Sequence, residues 1–170
     1  NGGTKMAAKP ARKFVSADPE KCVGCAVCEY VCSLEKEKAF NPTKSRIRVV
    51  RLHPLINLSV TCRLCEDAPC VASCPRDALE QSEETGIILV DEEKCNGCGW
   101  CIEACDYGAI TLHPETRVVF TCDLCEGEPK CVEWCPEEAL DFVTRDLLAQ
   151  KARITVVKKL FQEAMKTGAS

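Results

Sequence analysis

Aromatic side chains are scarce here, 5% of 170 residues with two tryptophans and two tyrosines. A core built on Phe and Trp would be thin at this length, so something else fills the middle. Long apolar runs are missing too. No stretch approaches the roughly 18 consecutive apolar residues of a membrane-spanning helix, and "RVVF" and "GIILV" are strand-sized. The opening "NGGTKMAAKPARKFVSADPEKC" has basic residues but no apolar segment behind them, unlike a secretory signal. A soluble chain in a reducing compartment, the cytoplasm, is therefore expected. No phosphate-binding glycine loop, nucleophile motif or isolated carboxylate pair is visible, which argues against catalysis by the chain itself. The balance of 22 Lys+Arg against 26 Asp+Glu, a formal charge of −4, points to no nucleic-acid partner.

Cysteine is abundant instead. There are 16, and they fall into four groups of four with none left over. The groups are Cys22, Cys25, Cys28 and Cys32; Cys62, Cys65, Cys70 and Cys74; Cys95, Cys98, Cys101 and Cys105; and Cys122, Cys125, Cys131 and Cys135. They alternate in kind. "DPEKCVGCAVCEYVC" matches "DEEKCNGCGWCIEAC", and "TCRLCEDAPCVASCPRDAL" matches "TCDLCEGEPKCVEWCPEEAL" with a wider middle gap. The order A-B-A′-B′ points to duplication of a unit that held two sites. Between groups, "GIILVDEEKC" and "SRIRVVRL" read as strands and "AITLHPETRVVF" as a hairpin. "PRDALEQ" and "PEEALDF" read as single helical turns. The length suits one compact domain or two small ones sharing a core, of small α+β architecture.

Three thiolates at i, i+3 and i+6 let one loop curl around a cuboidal cluster, while the fourth is placed to reach a neighbouring cluster. That crossing marks two-cluster ferredoxins, whose motif is C-x2-C-x2-C-x3-C-P. Sixteen thiolates suffice for four 4Fe–4S clusters. A disulfide framework would need a secreted chain, and thiols three residues apart in a loop seldom meet bridge geometry. Zinc sites pair C-x2–4-C units across a longer stretch, which these even triplets do not.

Gly24 and Gly97, between the first two cysteines of the A groups, suit positive φ. Pro75 and Pro136 follow the fourth cysteine of the B groups, and Ser33 and Asp106 stand there in the A groups. Each oxidised cluster with its thiolates carries about −2, for which Lys21, Lys94, Arg63, Arg46, Arg48 and Arg51 are compensating candidates. Ordinary solvated charge is the plainer reading of each. Trp100 and Trp134 could shield clusters from water or merely pack. His53 and His113 precede prolines and read as loop residues, with no ligand position left for them.

The chain resembles the four-cluster ferredoxin-type subunits of molybdenum and tungsten pterin oxidoreductases, such as those of dimethyl sulfoxide reductase, formate dehydrogenase and nitrate reductase. The sixteen cysteines, Pro75, Pro136 and the widened "EDAPC" and "EGEPKC" spacings carry the resemblance, over roughly residues 18 to 141. It implies nested pairing, a choice that spacing alone leaves open, since sequential pairing also joins an A group to a B group. One cluster then takes Cys22, Cys25, Cys28 and Cys135, and a second takes Cys32, Cys122, Cys125 and Cys131. A third takes Cys62, Cys65, Cys70 and Cys105, and a fourth takes Cys74, Cys95, Cys98 and Cys101. The implied fold is two interlocked ferredoxin-like domains, residues 18–60 with 118–141 and residues 61–117. They lie between an N-terminal extension, 1–17, and a C-terminal amphipathic helix, 142–170.

The implied function is electron transfer without catalysis by the chain itself, with a molybdo- or tungstopterin catalytic subunit as partner. A flavin or ferredoxin would be the second redox partner. "FNPTKSRIRVV" and the small size resemble the subunits that accompany tungsten aldehyde oxidoreductases and benzoyl-CoA reductases. The alternatives are a subunit of a hydrogenase or carbon monoxide dehydrogenase, a free polyferredoxin, and a self-associating filament. In the C-terminal segment, Leu147, Ile154, Val157, Phe161 and Met165 fall near one helical face, which predicts a helix packed back on the domain or a partner-binding element.

Overall fold

The computed structural model describes residues 11–52 and 56–167; His53 lies outside them. Four two-stranded antiparallel sheets tie the cysteine groups together. Strand β1 (Lys13–Ala17) pairs with β8 (Leu140–Thr144), and β4 (Leu79–Gln81) with β5 (Ile88–Val90). The first pair joins group one to group four, and the second joins group two to group three. Strands β2 (Arg48–Leu52) and β3 (Ile56–Val60) form the hairpin between groups one and two. Strands β6 (Thr111–Leu112) and β7 (Val119–Phe120) form the one between groups three and four. The strands expected in "SRIRVVRL" and "GIILV" and the hairpin in "AITLHPETRVVF" are thus present. Residues 13–17, placed by sequence in an N-terminal extension, supply a strand to the first pair.

Helices are short except at two places. Helices α2 (Pro69–Ala72), α3 (Trp100–Glu103) and α4 (Lys130–Glu133) each carry the third cysteine of a group and stop just before the fourth. Helix α1 (Val27–Glu37) instead runs on through Cys32. Ser33 is the reason: it is fully buried, and its hydroxyl donates to the Tyr30 carbonyl at 3.0 Å. A proline there would fit a chain leaving the helix, whereas serine lets the helix continue.

The helical turns expected at "PRDALEQ" and "PEEALDF" do not form. Asp77 (φ 49) and Glu138 (φ 47) take left-handed backbone conformations, which end any right-handed turn. The chain leaves as β4 and β8 instead.

Two small cores result, and sulfur is in both. Phe14, Val15, Ile47, Leu64, Leu124 and Leu140 enclose Cys28, Cys32 and Cys131 in one. Leu79, Ile88, Ile110 and Val119 enclose Cys70 and Cys101 in the other. Cys62 packs against both. The scarcity of aromatics is resolved in this way, because cysteine takes the central positions.

Helix α5 (Arg145–Thr167) corrects the expectation of a helix packed back on the domain. Leu148 packs against the first core. Further along, Ile154, Val157, Phe161 and Met165 are all exposed, and the ties are ion pairs from Lys151 to Asp141 at 2.8 Å and from Lys159 to Glu20. Among the described residues, no helix is long and apolar enough to cross a membrane.

Candidate metal centres

The local geometry of a cysteine group begins with its glycine. Gly24 (φ +72) and Gly97 (φ +69) both have positive φ, as expected. A Cβ on Gly97 would collide with the Arg117 carbonyl oxygen, and one on Gly24 would stand 2.6 Å from Asn57 Oδ1. Arg51 Nη2 donates to the Gly24 carbonyl at 2.6 Å and pins the first loop to β2.

The fourth cysteine of three groups repeats one device. Cys74, Cys105 and Cys135 each accept an N–H bond from an alanine four residues on: Ala78 at 3.3 Å, Ala109 at 3.4 Å and Ala139 at 3.3 Å. The residue before each alanine, Asp77, Gly108 or Glu138, has positive φ, which aims the amide at sulfur. Cys32 lies inside a helix, so its neighbouring amides are already committed. It accepts instead from Arg46 N at 3.2 Å. Amide donors of this kind favour the thiolate form.

The groups converge in pairs. One cavity is lined by Cys22, Cys25, Cys28 and Cys135, another by Cys62, Cys65, Cys70 and Cys105, and a third by Cys74, Cys95, Cys98 and Cys101. Their empty volumes, space open to solvent included, are alike at about 310, 390 and 320 Å³. The remaining cysteines meet in the first core, where Cys131 has Cys122, Cys32 and Cys125 as near neighbours. Among the described residues, no three His, Cys, Asp or Glu side chains converge tightly enough for a single ion. Three of the quartets thus surround a space rather than a point, which suits a polynuclear cluster better than a tetrahedral zinc with bonds of about 2.3 Å.

Burial sets the electrostatics. It pushes the Cys28 and Cys70 thiols up to about 11 and Cys122 up to about 12, and raises Cys62, Cys101, Cys125 and Cys131 as well. Such thiols give up their protons to a metal rather than to water.

The basic residues singled out by sequence have other partners, although Arg63 also lines the cavity of Cys62, Cys65, Cys70 and Cys105. Lys94 pairs with Asp91 at 3.1 Å and Arg46 with Glu37 at 3.6 Å. Arg63 lies over the Phe14 and Tyr107 rings at 5.1 and 5.6 Å, and Lys21 reaches the Glu138 carbonyl at 3.4 Å. Lys36 is a further cation beside a quartet, and sequence reasoning missed it. It bonds Asp123 at 2.7 Å and stands close enough to favour the Cys125 thiolate. Ser59 was missed too; its hydroxyl lies 3.6 Å from Cys28 Sγ and 3.8 Å from Cys22 Sγ.

Trp100 and Trp134 are each 61% exposed, because α3 and α4 turn their third-cysteine face inward. His113 is a turn residue, its Nδ1 accepting from the Glu115 and Thr116 amides at 3.3 and 3.2 Å.

Residues 55–145 match the 4Fe-4S dicluster domain family. The aliphatic sulfonate oxidoreductase polyferredoxin-like subunit of Pyrococcus furiosus is 47% identical over 136 residues, 78% of this chain and 79% of that one. The electron transport protein HydN of Escherichia coli is 34% identical over 163 residues, 81% of this chain and 91% of that one. The active site complex BamBC of benzoyl coenzyme A reductase with benzoyl-CoA aligns at a TM-score of 0.47 and 24% identity, covering 88% of this chain and 96% of that chain. The chain belongs to the 4Fe-4S dicluster domain family, and its sixteen cysteines match in number the thiolates that four 4Fe–4S clusters need.

Proposed function

We propose that this chain is the electron-transfer subunit of an oxidoreductase complex and performs no substrate chemistry by itself. The observation that carries the reading is the convergence of cysteines, four to a cavity, from groups far apart in sequence. Relatives named as electron-transport proteins or oxidoreductase subunits support it. When bound, the clusters supply one-electron carriers over a wide range of potentials.

The quartets are the nested set. Cys22, Cys25, Cys28 and Cys135 hold the first cluster, and Cys32, Cys122, Cys125 and Cys131 the second. Cys62, Cys65, Cys70 and Cys105 hold the third, and Cys74, Cys95, Cys98 and Cys101 the fourth. Adjacent quartets then share a helix or the turn that follows it. Helix α1 carries Cys28 for the first and Cys32 for the second, one turn apart. Cys70 and Cys74, on and just after α2, do the same for the third and fourth. The thiolates bind and orient the clusters, buried side chains exclude water, and the amides on Cys32, Cys74, Cys105 and Cys135 hold negative charge at sulfur. The two halves are interlocked ferredoxin-like domains.

The partner is a catalytic subunit bearing a molybdenum or tungsten pterin, by the likeness of the widened second and fourth groups to such subunits. Anaerobic native capture of the complex, with mass spectrometry and elemental analysis, tests this. Iron with tungsten or molybdenum, and a large pterin-binding subunit, is the expected result. Iron with nickel would move the chain to a hydrogenase or carbon monoxide dehydrogenase. Iron alone, without a stoichiometric partner, would sink the subunit reading in favour of a free or filament-forming polyferredoxin.

A further inference from the structure

The two B groups share more than cysteines: each opens on Thr-Cys, Thr61-Cys62 and Thr121-Cys122. Both threonines are nearly fully buried, at 5% and 6% exposure. Their hydroxyl oxygens have no hydrogen-bond partner of ordinary geometry, a costly condition for a buried donor. Each nevertheless lies near a sulfur of the other B group, Thr61 near that of Cys122 and Thr121 near that of Cys62. The arrangement is reciprocal, each threonine adjoining the cysteine that the other addresses. Cys62 packs against both cores, and Cys122 against the first, so the crossing lies where the two halves meet.

We infer that Thr61 and Thr121 are a matched pair of hydroxyl donors that set the reduction potentials of the two inner clusters. Thr61 acts on the one held by Cys122, and Thr121 on the one held by Cys62. The assignment rests on the nested quartets proposed above. A thiolate ligand would complete both orphaned hydroxyls, and a charged acceptor makes the stronger bond. The bond strengthens as electron density on the sulfur rises, so it favours the reduced state and raises the potential. The proton stays on the threonine oxygen throughout. In a titration, dithionite is oxidised and gives up the single electron that each centre takes, and no bond is made or broken in the chain. Backbone amides of Leu64 and Leu124 address Cys62 and Cys122 as well, so the hydroxyl adds to a donor set that any residue at these positions would retain. Both threonines are positioning residues.

The test is a redox titration of the intact cluster-loaded protein, followed by electron paramagnetic resonance, with Thr61→Val, Thr121→Val and Thr61→Ser variants. Valine keeps the shape and removes the donor, whereas serine keeps the donor. Thr61→Val is expected to lower the reduction equilibrium of one cluster about tenfold, about 59 mV for one electron. Thr121→Val should lower a different one, and Thr61→Ser should match the parent. Unmoved potentials in both valine variants would overturn the inference, as would a shift in Thr61→Ser equal to that in Thr61→Val. A parent protein holding fewer than about 16 irons would refute the quartets themselves, and this inference with them. About 16 irons with unmoved potentials would refute only the threonine role.

Discussion

Paired cysteine substitutions separate nested from sequential pairing by counting iron. A single Cys→Ser exchange is ambiguous, because a cluster left with three thiolates can shed one iron or all four. Two exchanges in one cavity remove that ambiguity. Cys22 and Cys135 line the same space, so Cys22→Ser with Cys135→Ser should empty one site and leave the others intact. From about 16 irons per chain, content should fall to about 12. Cys22→Ser with Cys74→Ser strikes two cavities. Each then keeps three ligands, and the total should be about 14, 11 or 8 according to what each sheds. Sequential pairing reverses the two outcomes, since Cys74 would then complete the first quartet. The assay is iron and acid-labile sulfide per chain after anaerobic reconstitution, with electron paramagnetic resonance to detect three-iron species. About 12 irons in Cys22→Ser/Cys74→Ser, with a departure from 12 in Cys22→Ser/Cys135→Ser, would refute the nested assignment.

Three further outcomes are expected. Gly97→Ala should destabilise the loaded protein by roughly 2–4 kcal/mol, since left-handed backbone costs about 1–2 and the Arg117 carbonyl blocks the added carbon. Gly108→Ala, at φ +60 with open space around it, should cost about 1–2 kcal/mol, and thermal unfolding compares the two. Removing residues 152–170 should change stability by no more than about 1 kcal/mol and leave iron content intact. The deletion removes the exposed pair of Lys159 and Glu20, and such pairs contribute little; a loss of iron would show that α5 supports the clusters.

The metal-free fold should be most stable below pH 9 and lose stability as pH rises toward 12. Burial raises Cys28 and Cys70 to about 11 and Cys122 to about 12 from an ordinary value of 9.0, so alkali favours the unfolded thiolates. Circular dichroism against pH checks it, and stability rising across that window would contradict the sign. For the same reason, cluster insertion at pH 8 should release protons measurable in a pH-stat.

Legibility tracked the range of each signal along the chain. Strand β2 and hairpin β6–β7 were readable because their apolar runs, and in the hairpin its turn residues, are neighbours in sequence. Positive φ at Gly24 and Gly97 was readable because a tight thiolate loop demands it. The turns after Cys74 and Cys135 were misread as helix: "PRDAL" and "PEEAL" have helix-forming composition, yet an amide aimed at sulfur required left-handed Asp77 and Glu138. Trp100 and Trp134 were ambiguous because a four-residue helix has no periodicity from which to read its buried face. Ser59, Lys36 and the two threonines look like ordinary polar residues until the opposite group is brought beside them.

The sequence by itself determined how many cysteines there are, their division into four loops and the cluster chemistry that such loops serve. Those properties depend on spacings of a few residues, which local chain geometry enforces. Only the tertiary structure decided that Cys135 stands beside Cys22 and Cys105 beside Cys62, and that Thr61 and Thr121 lie near the other B group's first cysteine. Strand pairing of β1 with β8 and of β4 with β5 imposes those neighbours. Backbone ladders between distant segments leave no trace in the spacing of the cysteines they bring together.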